Sequence, residues 1–298
     1  MAQTMMLLVN PAAGRTTSRS ALGTVVETFC INGWHPTVYF TTAPRTAAEL
    51  TRRYAPAFDR LVCLGGDGTL SDVISGLMQL PPEARPPLGY IPMGTANDVA
   101  STLDLPRGRP LEAALDVVNG QQMPYDVGRI NSGDYFTYVA AFGAFTEVSY
   151  STDQEMKNAL GRAAYLLDGL TRLPKLKSYR VRIEHDNGVI DEDLLFGAVS
   201  NSTSVAGMIK LDKRVVALSD GKFELLVVRP PKTLADLRGI VNGLMYQDYT
   251  GTAMSIYQTS HAKFTFAEPV TWTRDGENGG EHSLVEIENF KRAVDLIR

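Results

Sequence analysis

The stretch LVCLGGDGTLSDVISGLM, Leu61 to Met78, decides how this chain is read. Leu61, Val62, Cys63 and Leu64 form a short apolar run, the mark of a buried strand. Leu70, Val73, Ile74, Leu77 and Met78 recur at i, i+3, i+4, i+7 and i+8, one buried face of a helix. The string from Gly65 through Gly66, Asp67 and Gly68 to Thr69 therefore lies where strand passes into helix. Unpaired N–H groups and the positive end of the helix dipole gather there, and Gly65, Gly66 and Gly68 let the main chain approach a ligand closely. The pattern suits the phosphates of a nucleotide. Asp67 would repel them unless a divalent cation lay between, which implies Mg²⁺. A Walker loop occurs nowhere, and the dinucleotide fingerprint fails at Ser71. A glycine-rich turn capped by Thr69 or Asp67 is the plainer reading of this motif alone.

Working outward, the first part of the chain alternates strand and helix. Strands are expected at Met5–Val9, Thr37–Thr41, Leu61–Leu64 and Leu88–Ile91, and helices at Thr17–Ile31, Thr46–Tyr54, Leu70–Met78 and Leu111–Val118. That order predicts an α/β lobe, a parallel sheet with helices on both faces. Ligands of such sheets bind beyond the carboxyl ends of the strands, where Asn10–Gly14, Thr41–Thr42, Gly65–Thr69 and Pro92–Asp98 all fall. After Pro124 the texture turns to alternating runs, RVRIEH from Arg180, LLFGAVS from Leu194, KFELLVV from Lys222 and AKFTFAE from Ala262. With turn signals at Asn131–Asp134 and Asp186–Gly188, these read as antiparallel strands of a β-rich second lobe. Helical patterns interrupt them at 153–173 and 233–245.

A chain of 298 residues predicts about two domains of ~150 residues. With 44% apolar and 21% charged residues, it has neither a disordered nor a fibrous composition. MAQTMMLLVNPAAG has no basic n-region and no 18-residue apolar run occurs, so a cytoplasmic location is expected. Cys30 and Cys63 form no CxxC and read as reduced, packed thiols, which argues against zinc; His35, His185, His261 and His282 lack ligand spacing. Net charge is −4 without a long basic block, which argues against a nucleic-acid partner. Between Lys157 and Arg182, however, Lys157, Arg162, Arg172, Lys175, Lys177, Arg180 and Arg182 face the single acid Asp168 among interleaved leucines. Such a segment can touch an anionic bilayer or be an ordinary solvated surface helix.

The strings NPAAGR (Asn10–Arg15), GGDGTL (Gly65–Leu70), IPMGTANDVA (Ile91–Ala100) and DGE (Asp275–Glu277) resemble, in order and spacing, the bacterial diacylglycerol kinase and lipid kinase family. The likeness continues through YDVGRI (Tyr125–Ile130), LLFGAVSNSTSVAG (Leu194–Gly207) and SDGKFELLVV (Ser219–Val228). It implies an ATP-binding lobe of residues 1–124 plus about 285–298, and a sandwich-like lipid lobe of 125–284. It implies a Mg²⁺-dependent phosphotransferase that uses ATP on a membrane lipid such as diacylglycerol to make phosphatidic acid. Transient contact with the inner face of the membrane and a homodimer are in keeping with it. Another hydroxyl-bearing lipid, a small-molecule acceptor and a non-catalytic nucleotide- or lipid-binding protein are the rival readings.

Carried over position by position, Asn10, Pro11, Ala12, Ala13, Gly14, Thr41, Thr95 and the run Gly65, Gly66, Asp67, Gly68, Thr69, Leu70, Ser71 and Asp72 resemble nucleotide contacts. Glu277 resembles the general base, with Asp67, Asp126 and Asp275 as further carboxylates around the metal and water network. Asp275-Gly276 is also an ordinary turn pair. The chain departs from the family at three points. Asp72 replaces a glutamate, and the glycine that the family often has near Arg45 is missing, so that loop is expected to sit differently over the adenine. Val215 stands where a structural Mg²⁺ would have its first carboxylate, leaving the Leu218 carbonyl and Asp220, so that second metal is expected to be weak or absent.

Overall fold

The computed structural model describes residues 3–13, 17–143, 177–205, 209–211, 216–247, 249 and 252–298. The helical pattern at 153–173, Gly14 and Val215 lie outside the described residues. The first half is built on parallel strands β1 (Gln3–Val9), β2 (Trp34–Phe40), β3 (Arg60–Gly65) and β4 (Leu88–Pro92). Between them run α1 (Thr17–Ile31), α2 (Thr46–Tyr54) and α3 (Asp67–Met78); α4 (Asp98–Thr102) and α5 (Pro110–Asn119) follow.

Strands β1, β3 and β4 are apolar at successive positions because both of their faces are covered. Met6, Leu8 and Cys63 pack into one core with Ala47 of α2 and Val73 and Leu77 of α3. Met5, Leu7, Val9, Val62 and Leu64 pack into another with Val25 and Phe29 of α1 and Ala114 and Val117 of α5. The sheet order β4-β3-β1-β2 puts a topological switch between β1 and β3, where a crevice opens at the carboxyl ends. Strand β2 begins at Trp34, earlier than its pattern suggests, and it tolerates Pro36 because it is an edge strand. Helix α3 begins at Asp67, not at Leu70: Gly66 is its N-cap, so the glycine motif is its first turn.

The β-rich half comprises β5 (Gln122–Ile130), β6 (Asp134–Phe136), β7 (Val139–Gly143), β8 (Tyr179–His185), β9 (Gly188–Leu194) and β10 (Phe196–Ser200). After the short pair β11 (Ser204–Val205) and β12 (Ile209–Lys210) come β13 (Phe223–Val228), β14 (Met254–Thr259), β15 (His261–Arg274) and β16 (Glu277–Ile297). Helix α6 (Leu234–Tyr246) starts in a capping box formed by Thr233 and Asp236. An aromatic core holds this half together, with Phe142 4.9 Å from Phe266 and 5.1 Å from Trp272, centroid to centroid.

Strand β16 joins the halves. It pairs antiparallel with β15 and β5 and, at Leu296 opposite Leu88, parallel with β4. Among the described residues a 14-stranded sheet results. Its pairing with β5 slips between Phe290 and Val294, where Arg292 takes φ 50°. Buried Asp126 fixes that irregularity, accepting the Arg292 N–H at 2.6 Å and the Gly221 N–H at 2.7 Å. From the other side, Arg85 donates to the Ala293 carbonyl at 2.7 Å.

A second buried carboxyl has a measurable consequence. Glu224 on β13 is 1% exposed, lies between Ser200 and Gln258 of the flanking strands, and has no partner for Oε2. Burial foremost, then the charge of Asp220, pushes its pKa from 4.5 up to about 8, so it is a neutral acid at neutral pH. The native state thus holds this proton more tightly than the unfolded chain does. Its contribution to stability is full below about 4.5 and is lost as pH rises through about 8, at up to ~1.4 kcal/mol per pH step. Glu224→Gln is expected to flatten the fall in stability between pH 5.5 and 8.5, measured by urea unfolding. A variant whose pH profile runs parallel to wild type refutes this assignment.

Candidate active site

The loops that follow the four parallel strands converge on one cleft of ≈ 700 Å³. They are held edge to edge by the backbone: Asn10 N–H to Leu64 O, Thr41 N–H to Val9 O and Met93 N–H to Gly65 O, at 3.0, 2.9 and 2.7 Å. Asn10 ties the first loop to the third, donating from Nδ2 to Thr69 Oγ1 at 2.8 Å while its Oδ1 receives the Ala12 N–H. Gly66 and Gly94 sit back to back. A Cβ on Gly94 would lie 2.8 Å from the Gly66 Cα, so this approach of the third and fourth loops excludes any larger residue. The first turn of α3 leaves N–H groups without intrahelical acceptors beside the cleft.

Glu277 reaches the same place from the other end of the sequence. Residues Asp275 and Gly276 form the two-residue turn between β15 and β16, with φ 48° and 79°, the positive values that a type I′ hairpin requires. The pair is therefore a turn, as its residue types allow. The Asp275 carboxylate is buried and receives the N–H groups of Thr137, Tyr138 and Val139 at 2.7, 2.9 and 3.1 Å, as well as the Ser71 hydroxyl. So anchored, the turn aims Glu277 at α3: its Oε1 lies 2.8 Å from where a Cβ on Gly68 would be. Burial, and then the charge of Asp72, raises the pKa of Glu277, against the opposing pull of Arg274 and Arg45. Arg274 is itself paired with Asp134 at 2.6 Å.

Asp67 lies beneath the cleft rather than on its lining. Its oxygens receive the N–H groups of Asp98 and Val99 at 3.2 and 3.4 Å, the start of α4. Burial first, and then the neighbouring Asp98, pushes its pKa up to about 6. Asp98, 2% exposed, is a carboxylate that the sequence reading passed over. Its signal was the Asn97-Asp98 pair opening a helix after a glycine turn, with Asn97 at φ 52° and hydrogen-bonded to both the N–H and the carbonyl of Gly94.

Of the nucleotide contacts expected from sequence, Asn10, Pro11, Ala12, Ala13, Thr41, Gly66, Gly68, Thr69, Asp72 and Thr95 line the cleft. Gly65 ends β3, Leu70 is fully buried in the core, and the Ser71 hydroxyl is taken by Asp275; these do not line it. Asp126 does not line it either, since its carboxylate is committed to β16 and Gly221. Thr42, Ala43, Pro44 and Arg45 line the cleft beyond the expected set.

The residues fit a magnesium nucleotide. The glycine contact and the open helix turn suit phosphate, and the surplus of acid at Asp67, Asp98, Asp275, Asp72 and Glu277 suits a cation shared with phosphate oxygens. Among the described residues no group of His, Cys, Asp and Glu makes a metal cage alone. The expected second metal pair is otherwise engaged: the Leu218 carbonyl accepts the Asp126 N–H at 2.8 Å, and Asp220 Oδ1 accepts the Lys222 N–H at 2.8 Å.

Residues 4–130 match the family model described as diacylglycerol kinase catalytic domain. The chain is 32% identical over 275 residues to a diacylglycerol kinase of Bacillus subtilis (strain 168), covering 92% of this chain and 89% of that one. It is 33% identical over 279 residues to a diacylglycerol kinase of Staphylococcus carnosus (strain TM300), with the same coverages of 92% and 89%. The crystal structure of a diacylglycerol kinase from Bacillus anthracis str. Sterne shares its fold, with TM-score 0.75 and 21% identity over 99% of this chain and 96% of that one. With a cleft of this architecture and relatives matched along nearly their whole length, the chain belongs to the diacylglycerol kinase family of lipid kinases.

Proposed function

We propose that the chain is a Mg²⁺-dependent ATP:lipid phosphotransferase whose acceptor is diacylglycerol and whose product is phosphatidic acid. The observation that carries this reading is the meeting of Glu277 with Gly68, a carboxylate from the second half of the chain set against the glycine turn of the first. In this reading Asn10, Thr41, Gly66, Gly68, Thr69 and Thr95 hold the nucleotide, and Glu277 accepts the proton of the acceptor hydroxyl. That oxygen then bonds to the γ-phosphorus while the bond to the β-phosphate oxygen breaks, an in-line transfer in which positioning and charge neutralisation do most of the catalysis. Bound Mg²⁺ would supply charge neutralisation between Asp67 and the phosphate oxygens. Asp275 positions Glu277, and Asp126 positions the strand that carries it.

Membrane contact belongs to the same proposal. Among the described residues no helix is long and apolar enough to cross a membrane. Of the basic segment from Lys157 to Arg182, Lys157–Lys175 lie outside the described residues. Arg180 and Arg182 are paired with Asp191 and Glu184, whereas Lys177 is exposed above the Tyr179 ring. Pure protein incubated with labelled ATP, Mg²⁺ and mixed micelles of candidate lipids is expected to label diacylglycerol. Label in another lipid reassigns the acceptor, and label in none of them favours a non-catalytic binding protein.

A further inference from the structure

Arg45 occupies a backbone position that suits glycine better than arginine. Its φ of 62° lies in the left-handed region that glycine enters freely and side chains resist. It is the N-cap of α2 yet makes no side-chain cap, and it sets a cation at the helix end whose dipole prefers an anion. Among the described residues it forms no ion pair. Locally, then, the side chain contributes nothing to its helix, and backbone strain of this kind tends to mark a functional contact.

What the position does supply is access. The Arg45 N–H donates to Asp72 Oδ2 at 3.1 Å, which pins the loop over the first turns of α3. Its exposed side chain lines the cleft together with Gly68, Thr69 and Glu277. No other lysine or arginine among the described residues lines that cleft, whose acids are Asp72 and Glu277. The glycine turn carries no lysine of the Walker kind, so a triphosphate there has no other side-chain cation among them. Arg274 is near but committed to Asp134. Arg45 shares the lining of the cleft with both acids, Asp72 and Glu277.

We propose that Arg45 is a further catalytic residue, its guanidinium gripping the terminal phosphate of the bound nucleoside triphosphate and stabilising the charge that develops as the phosphoryl group leaves. This rests on the kinase reading above. Such a contact is lost once the terminal phosphate has gone, so Arg45 favours the triphosphate over the diphosphate product.

The test compares Mg²⁺-dependent binding of a non-hydrolysable ATP analogue and of ADP to wild type, Arg45→Gly and Arg45→Lys, with transfer rates measured alongside. Arg45→Gly relieves the positive φ, so its melting temperature is expected at or above wild type. It should bind the triphosphate analogue about 10-fold more weakly, bind ADP within twofold, and lose about 10- to 100-fold in kcat. Arg45→Lys should recover part of both losses. Wild-type affinity of Arg45→Gly for the analogue, or an equal loss for both nucleotides, overturns the assignment to Arg45 alone. If wild type binds neither nucleotide, the kinase reading falls and Arg45 with it.

Discussion

Replacing Glu277 by glutamine is expected to slow phosphoryl transfer by ~10²- to 10⁴-fold, the usual contribution of a positioned general base, while ATP binding stays within a few-fold of wild type. Glutamine keeps the shape that meets Gly68 but cannot take a proton. The variant should fold normally, because Glu277 gains little from its surroundings: burial and Asp72 disfavour its charge, and Arg274 and Arg45 only partly offset them. The same balance places its titration above that of an ordinary glutamate. Wild-type kcat should therefore fall on the acid side as Glu277 takes up its proton, and that limb should vanish in the glutamine variant. Single-turnover transfer from labelled ATP, paired with a nucleotide-binding titration, checks both. A variant within tenfold of wild type removes Glu277 from the role.

The other large effect is expected at Asp67. Asp67→Asn should cut transfer by at least ~10²-fold and abolish the extra thermal stability that Mg²⁺ adds in the presence of ATP. The cause is charge, since asparagine has nearly the same size. The substitution also weakens the hold on α4, because one of the oxygens that receive the Asp98 and Val99 N–H groups becomes a donor. Against that loss stands a gain. With its pKa raised to about 6, Asp67 stabilises the fold most while protonated; that contribution is lost as pH rises through about 6, by roughly 2–3 kcal/mol in the ligand-free protein. Ligand-free Asp67→Asn should accordingly be at least as stable as wild type at pH 8 and less stable than it at pH 4. Melting curves at the two pH values, with and without Mg²⁺ and ATP, separate these effects. An unchanged Mg²⁺ response would clear Asp67 of contact with the cation.

Much of the first half was legible because its signals are local. Strands buried on both faces read as unbroken apolar runs, and α1, α2, α3 and α5 lay close to where their periodicity put them. The shift of the α3 start from Leu70 to Asp67 shows the limit of that signal: periodicity reports apolar side chains, and Asp67, Gly68 and Thr69 of the first turn carry none of that pattern. Strand β16 was hidden for the opposite reason. Its exposed and buried residues alternate only in patches, since it faces solvent, β15, β5 and β4 in turn. Asp275 could be placed beside the site from the likeness of its motif. That it serves chiefly to receive the N–H groups of Thr137 to Val139 depends on contacts between residues far apart in the chain. The same is true of Asp126, Asp98 and the Arg274–Asp134 pair, whose meaning comes from where distant segments meet.

The unbroken run of β16 makes it a beam rather than a hinge. One end carries Glu277 against α3, and the other is hydrogen-bonded into the strand that starts at Leu88. A swing of one half about the other would have to strain or break these strand pairings. Whatever breathing admits an acceptor has to twist the beam, and its compliant point is the slipped register gripped by Asp126 and Arg85. Stiffness at that grip sets how steadily the base is held, so substitutions there should alter turnover while leaving the cleft chemically intact.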